Sequence, residues 1–245
     1  GIVGASGTGI QEVSSLIDRL GGGVVHAIGT GGRDLSDAVQ AITVKDALIA
    51  LENYSPADVI VLISKPPAAS VRNEIVNLLH NLSKPVVAIF LGENPDHHEG
   101  NVYLAHTLEE TARIAVDLAK GLPVKSSYQE PLDNQTQETV TKDATVKGLY
   151  SGGTLGSEAA MLISDSLKLG KLIHKEGFLL DEQGYQVIDY GDDKYTQGRA
   201  HPMIDPHTRI EALKQFGSDP KTGIILLDVV LGYGSHPDMA NALAP

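Results

Sequence analysis

One pattern occurs twice in this chain, and it limits the folds available more than any other feature. Gly1-Ile2-Val3-Gly4-Ala5-Ser6-Gly7-Thr8 leads into Glu12 and an apolar helical stretch. Gly148-Leu149-Tyr150-Ser151-Gly152-Gly153-Thr154 leads into Glu158 and a second one. A short apolar run that passes through glycine into a helix start is the opening of a βα unit. Chains that repeat such an opening at long range are built from copies of one module. Later elements recur too. Val25 to Ile28, with Gly29-Thr30-Gly31-Gly32-Arg33-Asp34, is echoed by Val187 to Tyr190 with Gly191-Asp192. Val59 to Ile63, after the helical stretch Ser36 to Glu52, is echoed by Ile224 to Val230, after Thr208 to Phe216.

The first module reads as residues 1–121, with four strands (Gly1 to Val3, Val24 to Ile28, Val59 to Ile63, Val86 to Leu91) and four helices (Gly9 to Leu20, Ser36 to Glu52, Ser70 to Leu82, Leu108 to Lys120). The runs lack polar alternation, as expected of parallel strands covered on both faces. Residues 122–146 are polar, hold two prolines and show no periodicity, so they read as a connector. Residues 147–245 form the second module. It stops just after its third strand, which predicts a piece of a longer protein. The fold class is α/β, with two parallel-sheet modules.

Composition narrows the function. Acidic residues outnumber basic ones by 31 to 19, giving a net charge of -12. Such a chain, with no Lys/Arg run and no Trp, is a poor partner for nucleic acid or an anionic membrane. The absence of Cys removes disulfides, thiol catalysis and thiolate metal sites. No apolar run approaches the roughly 20 residues of a membrane span. A cytoplasmic enzyme or metabolite-binding protein is expected.

A helix start leaves backbone N–H groups unpaired and carries partial positive charge, so it suits phosphate or carboxylate. Ser6, Gly7 and Thr8 in one module and Gly152, Gly153 and Thr154 in the other are therefore candidate phosphate-binding residues. Ser and Thr at these places also serve as plain helix caps, and both readings stay open. Glu12 and Glu158 sit in the first turns and are candidate bases or orienting groups; an acid near a helix start also offsets the dipole. His201 and Arg199, near the expected carboxyl edge of the second module, are candidate catalytic and substrate contacts, and Arg33 holds the similar place in the first. Asp205-Pro206 reads as a helix start in the same stretch. Asp96-His97-His98-Glu99 reads as a solvated loop, so no metal is expected. Neither G-x-G-x-x-G nor G-x-x-x-x-G-K-[ST] occurs, and Gly4-Ala5-Ser6-Gly7-Thr8 lacks the final glycine of a nucleophile elbow.

At these residues the sequence resembles the ligase half of ADP-forming acyl-CoA synthetases, the succinyl-CoA synthetase superfamily, and within it the FdrA family. Ser6-Gly7-Thr8-x-x-x-Glu12 resembles the α-subunit helix start, and Gly152-Gly153-Thr154-x-x-x-Glu158 occupies the β-subunit place. The resemblance implies two flavodoxin-like modules whose helix starts cradle one phosphate. The G-H-A-G-type phosphohistidine loop is missing after Lys84-Pro85-Val86-Val87, where Leu91 to Gly100 stands instead; His97 or His98 would have to substitute. The resemblance further implies acyl or carbamoyl transfer involving phosphate, with oxamate carbamoyltransferase of purine degradation as the expected activity. Phosphate is the expected ligand. CoA and ATP are conceivable, but no dedicated domain for either is expected in this chain. Small anionic substrates and partner subunits or a homo-oligomer are the expected partners. An ADP-forming acyl-CoA synthetase and a non-catalytic anion-binding scaffold are the alternatives.

Overall fold

The apolar runs become strands covered on both sides. In the computed structural model, which describes residues 1–95, 98–125, 143–170, 172 and 175–244, the chain divides into two units, Gly1–Pro131 and Leu132–Pro245. The first unit holds β1 (Ile2–Gly4), α1 (Gly7–Arg19), β2 (Ala27–Gly29), α2 (Ile42–Glu52), β3 (Ile60–Ser64), α3 (Ala69–His80), β4 (Val86–Phe90), β5 (Val102–Ala105) and α4 (Leu108–Ala119). Its five strands lie in the order β2-β1-β3-β4-β5, all parallel. Every residue of β1, β3 and β4 is buried. Because neighbouring side chains on a strand face opposite ways, Val3, Leu62 and Ala88 pack with Val44, Leu48, Val71 and Ile75 of α2 and α3. The other face lies against α1 and α4.

Three local expectations change in this unit. The second strand is shorter than Val24 to Ile28, because β1 has only three residues and pairing begins at Ile2↔Ala27; Val25 is left 48% exposed. The helix expected from Ser36 starts only at Ile42. A 3-10 turn over Gly32–Leu35 and left-handed backbone at Gln40 and Ala41 come first. Asp34 is buried and fixes that start. It accepts the Thr43 N–H at 3.0 Å and the Val44 N–H at 2.8 Å. β5 adds a fifth strand where four were expected.

The second unit holds β6 (Thr145–Tyr150), α5 (Gly153–Leu167), β7 (Phe178–Glu182), β8 (Tyr185–Asp189), α6 (Asp193–Thr196), α7 (His207–Gly217), β9 (Thr222–Leu227) and α8 (Met239–Leu243). The order is β7-β8-β6-β9, with β6 parallel to both of its neighbours. β7 is antiparallel to β8 and was not anticipated. A two-residue turn at Gln183-Gly184, both with positive φ, joins them, and such a turn returns the chain antiparallel. α5 covers one face through Ala160, against Tyr150, Leu180 and Val187. α7 covers the other through Ala212, Leu213 and Phe216, against Leu149 and Ile188. The α/β class with two parallel-dominated sheets agrees with the sequence expectation. Within β8-β6-β9, the strands end at Asp189, Tyr150 and Leu227, so the residues that follow share one carboxyl edge. Among the described residues no helix is long and apolar enough to cross a membrane.

Candidate functional site

In the first unit, α1 begins directly after β1. Ser6 is its N-cap, with extended backbone, and its hydroxyl accepts the Gly9 N–H at 3.4 Å. Ser6 Oγ also lies 3.3 Å from Thr8 Oγ1, so the two hydroxyls form one polar ridge at the helix start. Gly7 is exposed, and a side chain built there would meet nothing within 4 Å, so the approach to the backbone is open. The neighbouring β2 leaves the sheet at the same edge, where the Thr30 N–H donates to Gly4 O at 2.9 Å. Beyond it Arg33 is exposed. The expected Ser6, Gly7, Thr8 and Arg33 thus lie on one edge of one sheet. Helix-start N–H groups, hydroxyls and a guanidinium are the donors that hold an oxyanion.

The second helix start is built differently. The N-cap of α5 is Gly152, which has no side chain to cap with. Instead, a carboxylate just past the end of β9 holds the residues that lead into it. Asp228 accepts the Ser151 N–H at 2.7 Å, the Gly152 N–H at 2.9 Å and the Ser151 hydroxyl at 2.9–3.0 Å. Arg209, on α7, has its Nη2 3.1 Å from the same carboxylate and donates to Asp228 O at 2.7 Å. Arg209 is wholly buried, and its Nε and Nη1 have no hydrogen-bond partner among the described residues. A buried donor left unpaired costs about 1–3 kcal/mol, more when charged. Gly152 and Thr154 are buried, Thr154 fully, while Gly153 is half-buried. The three expected phosphate-binding residues therefore form the helix start as anticipated in sequence, but an internal anion already holds the N–H groups of Ser151 and Gly152 that lead into it. A second anion about 4 Å away would meet repulsion on the order of 4 kcal/mol at an effective dielectric of 20.

His201 lies on the same edge. The Met203 N–H donates to His201 Nδ1 at 3.2 Å, which puts the ring proton of the neutral form on Nε2. Burial pulls the His201 pKa down, and the charge of Asp228 opposes that only in part, so the ring is neutral at pH 7. Gly191 makes this packing possible: a Cβ there would sit 2.5 Å from Ser151 O and 2.8 Å from His201 Nε2. It would also sit 3.0 Å from Asp189 Oδ1, which accepts the Gly191 N–H at 2.8 Å. The structure thus brings Ser151, Asp189, His201, Arg209 and Asp228 to one edge. Tyr150 and Tyr190 lie buried beside them, each pushed up to about 12, mainly by burial.

The remaining expected residues stand apart. Arg199 is exposed on the loop after α6, Glu12 is half-exposed on α1, and Glu158 is half-buried on α5, where its charge reaches Tyr150. The helix expected from Asp205-Pro206 begins at His207, whose N–H donates to Asp205 Oδ1 at 3.0 Å. His97 lies outside the described residues, and His98 is exposed, its ring 5.1 Å from that of Tyr103. Among the described residues no cluster of three or more His, Asp or Glu is placed to hold a metal. Sequence reasoning missed Asp228 and assigned no role to Arg209. The available signal for Asp228 was a lone carboxylate closing the apolar run Ile224–Leu227, at the strand end where α/β ligands bind.

Comparison with known proteins fits this two-module layout. The family model described as CoA binding domain matches residues 1–92, and that described as CoA-ligase matches residues 149–245. The expectation that no dedicated CoA domain lies in the chain is thereby overturned: the first module, read as a ligase module, matches the CoA binding domain. The reason is physical, since the strand–glycine–helix opening common to both kinds of domain does not tell them apart. The chain is 38% identical, over 252 residues, to the uncharacterized protein YahF of Escherichia coli (strain K12). That match takes in 97% of this chain and 48% of YahF, so the chain spans about half the length of this curated relative.

Proposed function

The chain belongs to the succinyl-CoA synthetase superfamily, in its FdrA-like group, with a CoA-binding module followed by a CoA-ligase module, and from that premise we propose that it is a subunit of an enzyme moving an acyl or carbamoyl group to or from phosphate. The observation that carries this reading is the open start of α1, where Ser6, exposed Gly7, Thr8 and exposed Arg33 share one sheet edge. In the transfer, a phosphate oxygen attacks the acyl carbonyl carbon, the carbonyl electrons move to oxygen, and the leaving nitrogen or sulfur departs and takes a proton. For oxalurate, the class of substrate that the FdrA resemblance suggests, the products are carbamoyl phosphate and oxamate. Helix-start N–H groups favour the reaction by stabilising charge on the phosphoryl group and the oxyanion. His201, neutral with its proton on Nε2, offers a hydrogen-bond donor on the edge of the second unit and not a proton to give away, because losing that proton would leave an imidazolate.

The donor set at α1 also fits the phosphate groups of CoA. Bound there, CoA would supply a thiol that carries the acyl group. This favours a second reading, acyl-CoA synthesis or cleavage, and the CoA binding domain match is the observation in its support. The test is oxalurate phosphorolysis, followed as carbamoyl phosphate release by this chain with its partner subunits. Thr8→Val and Arg33→Ala are expected to lower the rate about 10- to 100-fold, the range for lost charge-assisted contacts of 1.5–3 kcal/mol. Phosphorolysis that survives both changes contradicts the first reading. Acyl-CoA-dependent phosphate uptake without oxalurate turnover favours the second.

A further inference from the structure

The start of α5 holds an unusual set of partners. A backbone N–H pair, a serine hydroxyl and a buried guanidinium converge, which is the donor set of an oxyanion site, and the anion among them belongs to the chain itself. The matching place in the first unit shows that the architecture does not require this. There Ser6 caps α1 with its own hydroxyl, and the residue opposite Gly4 on β3 is Ile63, with no charge. In the second unit Asp228, one residue past the Leu149↔Leu227 pair, brings a charge onto the same edge.

A carboxylate serving only as a cap needs the N–H groups and nothing more. Here it is paired with a fully buried arginine whose Nε and Nη1 find no hydrogen-bond partner among the described residues. The guanidinium fork matches two oxygens of a tetrahedral oxyanion with parallel bonds, and Asp228 engages it through Nη2 alone. Asp228 therefore satisfies Ser151 and Gly152, which lead into α5, better than it satisfies Arg209. Two anions cannot share the place without strong repulsion, so a ligand of this class binds at α5 by replacing the carboxylate.

We infer that Asp228 is a built-in stand-in for an oxyanion of the phosphate class at the start of α5: it holds Ser151, Gly152 and Arg209 until the ligand arrives, and then yields them. The inference rests on reading the α5 start as an anion site, and it adds how that site is kept closed. Charge stays balanced around Arg209 in both states, since one anion leaves it as another comes.

The test is a titration of the whole chain with inorganic phosphate, followed at the backbone amides of Ser151 and Gly152 by nuclear magnetic resonance. Asp228→Asn removes the competing charge and keeps the shape, and is expected to bind phosphate at these amides at least about tenfold more tightly than wild type, one charge-assisted bond's worth. Asp228→Asn combined with Arg209→Gln is expected to lose that gain. Asp228→Ser also removes the competing charge and leaves every proposed phosphate donor in place; it is likewise expected to bind more tightly than wild type, and it decides the matter should Asp228→Asn fail to fold. Folded variants that bind phosphate here no better than wild type overturn the displacement while leaving the anion site standing. Amides of Ser151 and Gly152 that respond to phosphate in none of the proteins overturn the site and the displacement together.

Discussion

Single side chains decide how each helix starts, and they do so by different means. Ser6 caps α1 locally, whereas α2 and α5 depend on aspartates brought from elsewhere, Asp34 and Asp228. Asp34→Ala removes two bonds to the α2 start and is expected to lower stability by about 1–2 kcal/mol, measured by urea unfolding. Arg209→Leu leaves the Asp228 charge buried without its partner and is expected to cost about 3–5 kcal/mol. A loss below about 1 kcal/mol, the range of an exposed pair, would show the pair to be hydrated. The tyrosines give a pH test. Tyr150 and Tyr190 have folded pKa values raised to about 12, above the ordinary 10. A raised pKa means that the folded state holds its proton more tightly, so their contribution is complete below pH 10 and is lost as pH rises toward 12. Ultraviolet titration of the eight tyrosines should show two that ionise only with unfolding above about pH 11. Native-state ionisation of all eight near pH 10 would contradict their burial.

At the scale of elements, the strands were legible because burial on both faces writes itself as short unbroken apolar runs, as in Ile60–Ser64 and Val86–Phe90. The repeat located α1 and α5 correctly because strand, glycine and helix follow one another within a few residues. Elements shaped by distant partners were not legible. α2 starts at Ile42 because Asp34 folds back onto it, and nothing in Ser36–Ala41 announces that. β7 rests on a two-residue turn within a stretch of mixed polarity. The candidate site divides the same way: Ser6, Gly7 and Thr8 could be read from local sequence, while the Asp228–Arg209 pair spans 19 residues and three elements before it meets Ser151. Gly191 is a further test at this scale. Gly191→Ala would drive a methyl into Ser151 O and His201 Nε2. It is expected to destabilise the second unit by about 1–3 kcal/mol, as overpacking does, and to shift the His201 ring resonances. A variant with wild-type melting and unmoved resonances would contradict the geometry of this edge.

For the whole molecule, charge and site pull in opposite directions. A chain with net charge -12 repels anionic ligands at long range, so the attraction must come from local donors at the carboxyl edges. Salt screens the long-range repulsion over about 8–10 Å at physiological strength, and association of an anionic ligand is therefore expected to quicken as salt rises from low levels. An anion-binding rate that falls with salt from the outset would point to a basic surface instead. The measurement that bears most directly on the account is calorimetric titration of the chain with CoA and with inorganic phosphate, using sulfate as the ionic control. The account predicts saturable CoA binding that Thr8→Val and Arg33→Ala each weaken, with phosphate competing. Folded chain that takes up neither ligand beyond sulfate, or CoA binding indifferent to both substitutions, would contradict it.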